Sequence, residues 1–205
     1  MPNWVYNKVH FYGEQKEIDK LKKFVKSKES VFDFNKIIPM PEELNLESGS
    51  HEDVAVDCAL AKRLGFTTSE KYEARPWSQT KTFDEWAELG EKYLGNIEKY
   101  GHPTWYTWCC DKWGTKWNAC DADWSENDVE FNTAWSAPTP IFEKLSQEFP
   151  KVYFNVSYAD EDLGRNNGTI SWDGDSFTDD ELNDFDFACE VWGYDPEEMR
   201  EERDV

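Results

Sequence analysis

The side chains best suited to bind a metal ion are one histidine and three cysteines that lie close together in the sequence: His102, Cys109, Cys110 and Cys120. Zinc sites take nitrogen and sulfur ligands in a tetrahedron, commonly with the spacings C-x2-C and H-x3-H. Neither spacing occurs here, because Cys109 and Cys110 are adjacent. Two alternatives stay open: a zinc-dependent protein or enzyme that uses His102, Cys110 and Cys120, or thiols that are buried in an aromatic core.

Other catalytic patterns are weak in this sequence. A calcium loop needs several alternating oxygen ligands and a glycine at its sharp turn, and Asp173-Gly174-Asp175 fits that pattern only in part. The histidines at positions 10, 51 and 102 are not accompanied by a nucleophile motif or a phosphate-binding glycine loop. We therefore expect no enzymatic activity, no catalytic residues and no cofactor other than the zinc considered above.

The segment WGTKW at residues 113–117 combines two tryptophans with a lysine. Such a group can stack on a flat ligand or hold an anion. The alternative is a tight turn that the glycine permits, with the tryptophan pair filling the core. The negative charge of the chain argues against a nucleic-acid platform and favours the structural alternative.

Charge is distributed very unevenly along the chain. Residues 121–205 contain 24 Asp and Glu against five Lys and Arg, a net charge of −19. Residues 1–120 contain 19 acidic against 17 basic residues, a net charge of −2. A negative surface repels nucleic acid and attracts basic proteins. The pattern predicts a partner that is a basic protein, with no direct binding of nucleic acid and no membrane contact. A soluble domain without a charged partner is the alternative.

Composition indicates a folded protein. Only 39% of the 205 residues are hydrophobic, but 16% are aromatic, and disordered acidic chains lack such rings. The sequence shows neither a secretory signal nor an apolar run long enough to span a membrane. With an odd number of cysteines and no export signal, we expect reduced thiols and a cytoplasmic location.

Hydrophobic periodicity predicts strands at residues 4–12, 116–123, 128–134, 151–158 and 168–172, with an extended segment at 31–38. It predicts helices at 16–26, 105–112, 141–148 and 179–192, and a helical insertion at about 54–101 whose second helix begins at a capping box, Thr82 to Glu85. This order predicts an α+β, ferredoxin-like antiparallel sheet with helices on one face. We expect a single domain, 1–205, with an acidic C-terminal part at about 158–205.

Several short segments, taken in order, resemble one known family. They are MPNWVYN at the start, FNKIIPMP at 34–41, WGTKWNA at 113–119, and FNTAWSAP at 131–138 followed by LSQEFP at 145–150. Together they resemble the ferredoxin-like domain of the YubB type, which phages, prophages and conjugative plasmids carry. The resemblance implies a ferredoxin-like fold and an origin in a mobile element. It implies no activity, because that family has no assigned chemistry.

Charge and resemblance lead to one preferred hypothesis: a non-enzymatic phage or mobile-element protein that binds the basic surface of a host defence protein. We expect the target to be a nuclease or CRISPR effector, which would make this protein an anti-CRISPR-like inhibitor. Mimicry of DNA is one way in which such an inhibitor binds its target. The predicted contact residues are Asp160, Glu161, Asp162, Asp173, Asp175, Asp179, Asp180, Glu181, Asp184 and Asp186. A structural or regulatory module of a mobile element, acidic for solubility, is the further alternative.

Overall fold

A computed structural model describes residues 3–203. The chain divides into two compact units. The second unit is Met40–Trp108, and the first unit consists of the described residues on either side of it. The helical insertion expected at about 54–101 lies inside the second unit, and all six strands of the sheet lie in the first. No helix within residues 3–203 has the length and apolar character needed to cross a membrane.

The elements follow one another in this order along the chain: β1 (Trp4–Gly13), α1 (Gln15–Val25), α2 (Phe34–Ile37), α3 (Glu52–Arg63), α4 (Glu70–Ala74), α5 (Phe83–Tyr100), α6 (Trp105–Lys112), β2 (Cys120–Ser125), β3 (Asp128–Ala134), α7 (Thr139–Glu148), β4 (Val152–Asp160), β5 (Asn167–Trp172), β6 (Phe177–Glu181), α8 (Phe185–Trp192) and α9 (Pro196–Arg203). Short 3-10 segments lie at Glu42–Leu44 and Pro76–Thr80.

The strands form one antiparallel sheet in the order β2-β3-β1-β4-β5-β6. β1 is central, and its Val9 pairs with Val129 on one side and with Val156 on the other. β2 and β6 are the two edges. Since side chains alternate between the faces of a strand, this register decides which residues share a face of the sheet.

One face of the sheet carries the core of the first unit. Val5, Val9 and Phe11 of β1 are buried on it, and the rings of α7 and the neighbouring strands pack there. The Phe142 ring of α7 lies 6.4 Å from the Phe131 ring and 5.5 Å from the Phe154 ring, measured between centroids. Aromatic rings therefore supply much of the buried area that a chain with few aliphatic residues needs.

Helix α8 lies on the opposite face, at one end of the sheet. Trp192 stacks on Tyr6 with 5.1 Å between ring centroids, and its indole N–H donates to the carbonyl oxygen of Ala159 at 3.1 Å. Tyr6 and Ala159 are paired across β1 and β4 and point away from the core. Among the elements described here, no other helix of the first unit packs on this second face.

The α+β, ferredoxin-like prediction is confirmed. The strand predicted at 116–123 is displaced, since β2 is Cys120–Ser125, and two further element predictions are wrong. Residues 31–38 are not extended throughout, because the Asp33 side chain accepts from the Asn35 N–H and starts the short helix α2. Residues 179–192 are not one helix. Their first part pairs with β5 as strand β6, and α8 begins only where the Asp184 carboxylate accepts from the Phe187 N–H.

In the second unit, α3 and α5 pack against each other at very close range. Val54, Ala55 and Cys58 of α3 are buried against Trp86 and Ala87 of α5. Helix α5 begins at the capping box predicted from the sequence, in which Thr82 and Glu85 bond to each other's backbone N–H groups. A Cβ atom at Gly90 would lie 1.9 Å from the carbonyl oxygen of Ala55, so only glycine allows this approach.

We expect Gly90→Ala to destabilise the second unit by about 1–3 kcal/mol or more, because the added methyl group forces α3 and α5 apart. Gly95→Ala is the matched control on the same helix, since nothing lies within 4 Å of its Cβ position. Removing a helical glycine there should stabilise the protein by about 0.5–1 kcal/mol. Urea unfolding followed by circular dichroism measures both changes. Equal effects of the two substitutions would contradict the close packing.

Candidate interaction surface

The face of the sheet opposite the core carries two complete rows of polar side chains, one from each strand. The first row runs across the six strands as Asp123, Glu130, Lys8, Ser157, Thr169 and Asp180. The second row runs as Ser125, Asp128, His10, Asn155, Ser171 and Thr178. None of these twelve residues is buried. We call this surface the open face. Its rows span about 24 Å, taking ~4.8 Å between neighbouring strands.

A groove of about 540 Å³ lies over the β2–β3–β1–β4 part of the open face. Within it, the His10 Nδ1 atom lies 2.5 Å from a carboxylate oxygen of Asp128. Next to the groove, the Tyr6 hydroxyl donates to the Glu130 carboxylate at 2.6 Å. Burial, and then this hydrogen bond to a negative group, raises the pKa of Tyr6 to about 12. The open face thus has a fixed pattern of carboxylates around one lysine and one histidine.

Strand β6 brings a second group of carboxylates to the edge of the sheet next to the open face. Asp180 lies on the open face itself, whereas Asp179 and Glu181 point to the other side of the strand. Asp173 and Asp175 occupy the turn that precedes β6. We call these five residues the acidic edge. The chain from residue 166 to residue 199 contains eleven Asp and Glu and no Lys, Arg or His.

The buried phenol of Tyr158 lies within the field of the acidic edge. Its pKa is raised to about 12, first by burial and then by the negative charges of Asp179, Glu181 and Asp180. Gly168 lets β6 come this close, because a Cβ there would lie 2.1 Å from the carbonyl oxygen of Asp180. The three carboxylates of β6 therefore act together on one neighbouring group.

Several of the predicted contact residues have structural roles in the fold. Asp160 is only 5% exposed, and its carboxylate accepts from the side chain of Asn166 at 2.8 Å and the backbone of Asp162 at 2.9 Å. Its side chain lies on the core side of β4 and is not part of an exposed surface. Asp184 caps α8, and Asp186 forms an ion pair with Arg200.

The ten predicted residues do not form one compact patch. Glu161 and Asp162 are exposed in the β4–β5 connection, beside the start of β5. Asp173 and Asp175 lie at the other end of the β5–β6 hairpin, and β6 joins the two ends. The structure thus gathers Asp173, Asp175, Asp179, Asp180 and Glu181 along the edge. Asp173 has a lowered pKa because the backbone N–H groups of Ser176 and Asp175 bond to its carboxylate.

The opposite side of the first unit carries charges of both signs, because helix α1 has Glu17 and Asp19 beside its lysines. Helix α1 packs on the core face through Ile18, Leu21 and Val25. Lys22 contacts Trp124, whose ring lies 5.5 Å from that of core residue Phe11. Further lysines of this helix, Lys16, Lys20 and Lys23, are exposed. Carboxylates on the open face and lysines on α1 are therefore separated by the thickness of the core.

Sequence reasoning missed three acidic residues of the open face: Asp123, Asp128 and Glu130. The signal that could have found them is the alternation within β3, where Asp128 and Glu130 flank Val129. Because Val129 is buried, its neighbours must face the other side of the sheet. The sequence prediction of a hairpin at this position was already sufficient for that inference.

The proposed zinc ligands do not form a metal site in the described part of the chain. Within residues 3–203, no group of three or more His, Cys, Asp or Glu side chains is arranged to hold a metal ion. Burial raises the pKa of Cys109 to about 12, and it also raises the pKa of Cys110 and of Cys120. Without a metal ion these thiols therefore stay protonated near neutral pH, whereas a cysteine nucleophile acts as thiolate.

The WGTKW segment has a mainly structural role. The Trp113 ring is buried, and its N–H donates to the carbonyl oxygen of Ile38 at 2.9 Å. Gly114 has a positive φ of 76°, as the turn requires. The ammonium group of Lys116 lies 4.7 Å from the ring centroids of both Trp117 and Trp135. This cation–π pairing holds the lysine within the protein.

Comparison with known proteins finds a family model that is similar to the C-terminal part of the chain. Residues 112–205 match the model of a family described as "Ferredoxin-like domain in Api92-like protein". The matched region contains β2 to β6 and helices α7 to α9. A search of curated proteins finds no match. The expected resemblance to a ferredoxin-like family is thus confirmed for this region, and the family description names no activity.

A solved structure, the crystal structure of a protein api92 from Yersinia pseudotuberculosis, is also similar to this chain. The similarity covers 89% of this chain and 98% of that chain, with 13% sequence identity and a TM-score of 0.47. The mobile-element origin and the anti-CRISPR role stay predictions.

We expect the substitutions Asp179→Asn, Asp180→Asn and Glu181→Gln together to lower the pKa of Tyr158 from about 12. The pKa should stay above its ordinary value near 10, because burial is the largest cause of the upward shift. The folded-state pKa lies above the unfolded one, so stabilisation by the neutral phenol is complete below pH 10 and is lost as the pH rises toward 12.

Carbon-13 NMR of labelled tyrosines, assigned with Tyr158→Phe, measures this titration. Glu130→Gln is the crossed control: it should lower the pKa of Tyr6 and leave that of Tyr158 unchanged. A Tyr158 pKa that does not respond to the triple substitution would show that the β6 carboxylates do not act on it.

Proposed function

We propose that this protein is a non-enzymatic binding protein that covers a basic surface of a partner protein with its open face and acidic edge. The observation that carries the proposal is the placement of charge in the first unit. Asp123, Asp128, Glu130 and Asp180 are exposed on one face of the sheet, and the exposed lysines of α1 lie on the other side. This distribution of charge orients the protein relative to a cationic partner.

The chemistry of the open face suits a charged and polar contact. Its two rows consist of carboxylates, hydroxyls, amides, one lysine and one histidine, with no aliphatic or aromatic side chain among them. Groups of this kind raise the rate of association and fix the register of a complex more than they supply apolar burial. The strands hold them rigidly, so little backbone rearrangement is needed for binding.

The partner that this surface fits best is a protein that handles nucleic acid, because such proteins carry an exposed basic groove for phosphate groups. A protein with this chemistry in the cytoplasm of a host cell, a nuclease or CRISPR effector, would be blocked when the open face occupies its groove. The sequence resemblance to a family carried by mobile elements supports this anti-CRISPR-like role. Spacings of carboxylates that follow those of phosphates would make the protein a DNA mimic.

An edge strand rich in carboxylates also has a role that needs no partner. Charged residues at the edge of a sheet prevent it from pairing with the edge of another molecule. That role accounts for β6 and for Asp123 on the other edge strand, β2, but it does not account for Asp128 and Glu130, which lie on β3 inside the sheet. The extension of negative charge from the edge onto the open face is what favours a binding surface.

A matched pair of charge-reversal variants tests the proposal. The first variant is Asp175→Lys, Asp180→Lys and Glu181→Lys, which avoids the carboxylates that hold the fold, such as Asp173 and Asp184. The control is Glu42→Lys, Glu88→Lys and Glu98→Lys, which changes the net charge equally on exposed residues of the second unit. Each protein is immobilised and exposed to host lysate at low and high salt, and captured basic proteins are identified.

We expect the unaltered protein and the control variant to capture the same basic protein at low salt, and the acidic-edge variant to lose it by tenfold or more. Capture should weaken strongly at high salt, because exposed charges are screened within roughly 8 Å at physiological ionic strength. The captured protein should then lose its affinity for nucleic acid when this protein is added. Equal capture by both variants at every salt concentration would contradict the proposal.

A further inference from the structure

We infer that the second unit carries a separate docking site for a short, basic amphipathic helix of a partner protein. The site is the outer side of α3, where Val56, Leu60, Leu64 and Phe66 follow one another. We call these four residues the α3 trough. It lies in a different unit from the open face and does not depend on the function proposed above.

The α3 trough is apolar on a helix whose other side is already buried. Val54, Ala55 and Cys58 pack against α5, whereas Leu60 is 45% exposed, Leu64 76% and Phe66 60%. Val56, Leu60 and Leu64 are spaced four residues apart and therefore form one stripe along the helix. Val56 is half-buried and also packs against the core, so the exposed part of the trough is Leu60, Leu64 and Phe66.

Two neighbouring grooves lie along the stripe. One, of about 350 Å³, is lined by Val56 and Leu60 together with Ile97 and Pro103. The other, of about 410 Å³, is lined by Leu60, Leu64 and Phe66. Both grooves are lined by Leu60 and Asp57, so they are neighbours on the same side of α3. From Val56 to Leu64 the stripe extends about 12 Å at ~1.5 Å per residue, which is the length of two turns of a helix.

The charges around the two grooves select the kind of helix. Asp57, Glu70 and Glu73 line the second groove. The nearby lysines are already paired: Lys71 lies 3.5 Å from Asp53, and Lys62, which lies beside Phe66, is 2.8 Å from Asp84. An apolar stripe with an acidic rim complements a helix that carries leucine-like residues on one side and lysine or arginine beside them. A second copy of this chain is a poor occupant, because it would bring the same carboxylates against this rim.

The test uses the full chain and two fluorescein-labelled peptides of 14 residues made of leucine and lysine. One peptide places its leucines on one side of a helix. The other has the same composition with leucines spread around the helix, so charge alone cannot distinguish the two. We expect the amphipathic peptide to bind at least tenfold more tightly by fluorescence anisotropy in 150 mM salt. Equal affinities for the two peptides would overturn the proposal.

Substitutions at the α3 trough test the location of the site. Leu64→Ser with Phe66→Ser should abolish the tenfold preference and leave the circular dichroism spectrum unchanged, because both side chains are largely exposed. Leu182→Ser, at a residue of the first unit that is 48% exposed, is the matched control and should keep the preference. A preference that survives the double substitution would place the binding elsewhere and overturn the proposal.

Two further measurements distinguish peptide binding at the α3 trough from binding at the acidic edge and from self-association. The variant Asp175→Lys, Asp180→Lys, Glu181→Lys should keep the tenfold preference, since its changes lie in the first unit. Loss of the preference in this variant would place the peptide at the acidic edge. That result would overturn the α3 site without affecting the proposed function. A dimer in sedimentation velocity that disappears in the Leu64→Ser, Phe66→Ser protein would identify a second copy as the occupant and would also overturn the proposal.

Discussion

The alternation of side chains along six antiparallel strands is the constraint on which the rest of the first unit depends. β1 lies at the centre of the sheet. Its register with β3 and β4 fixes which side chains of those strands point to each face of the sheet. Val5, Val9 and Phe11 then belong to the core, and Lys8 and His10 must belong to the open face. A shift of one residue would exchange these sets, so the core and the acidic surface are specified together.

A strongly acidic chain needs a compensating source of stability, because carboxylates held close together repel one another. In the first unit this source is a set of packed rings. Phe32 stacks on Phe131 with 5.1 Å between centroids and 16° between planes, and Phe34 meets Phe131 edge to face at 5.9 Å. Such pairs add to the free energy of burial. The rings lie on the side of the sheet away from the open face, so polar groups there are not drawn into the core.

Most of the sheet could be predicted from sequence, because β1, β3, β4 and β5 alternate apolar and polar residues. Strand β6 could not. Its residues Asp179, Asp180 and Glu181 are poor strand formers. The apolar residues that follow, Leu182, Phe185 and Cys189, have helical spacing. Local preference therefore favoured a helix. Pairing with β5 decided otherwise. Total charge likewise predicted an acidic surface but not its position: Asp160 lies on the core side of β4, whereas Asp123 and Glu130 lie on the open face.

The central claim is that the carboxylates of the open face and the acidic edge form one negative surface, which the core separates from the lysines of α1. Paramagnetic relaxation of backbone amides by cationic and anionic nitroxides of equal size measures the local surface potential residue by residue. We expect the strongest preference for the cationic nitroxide in β2, β3 and β6, and the weakest in α1. A preference of the same size in α1 and in those strands would contradict the claim.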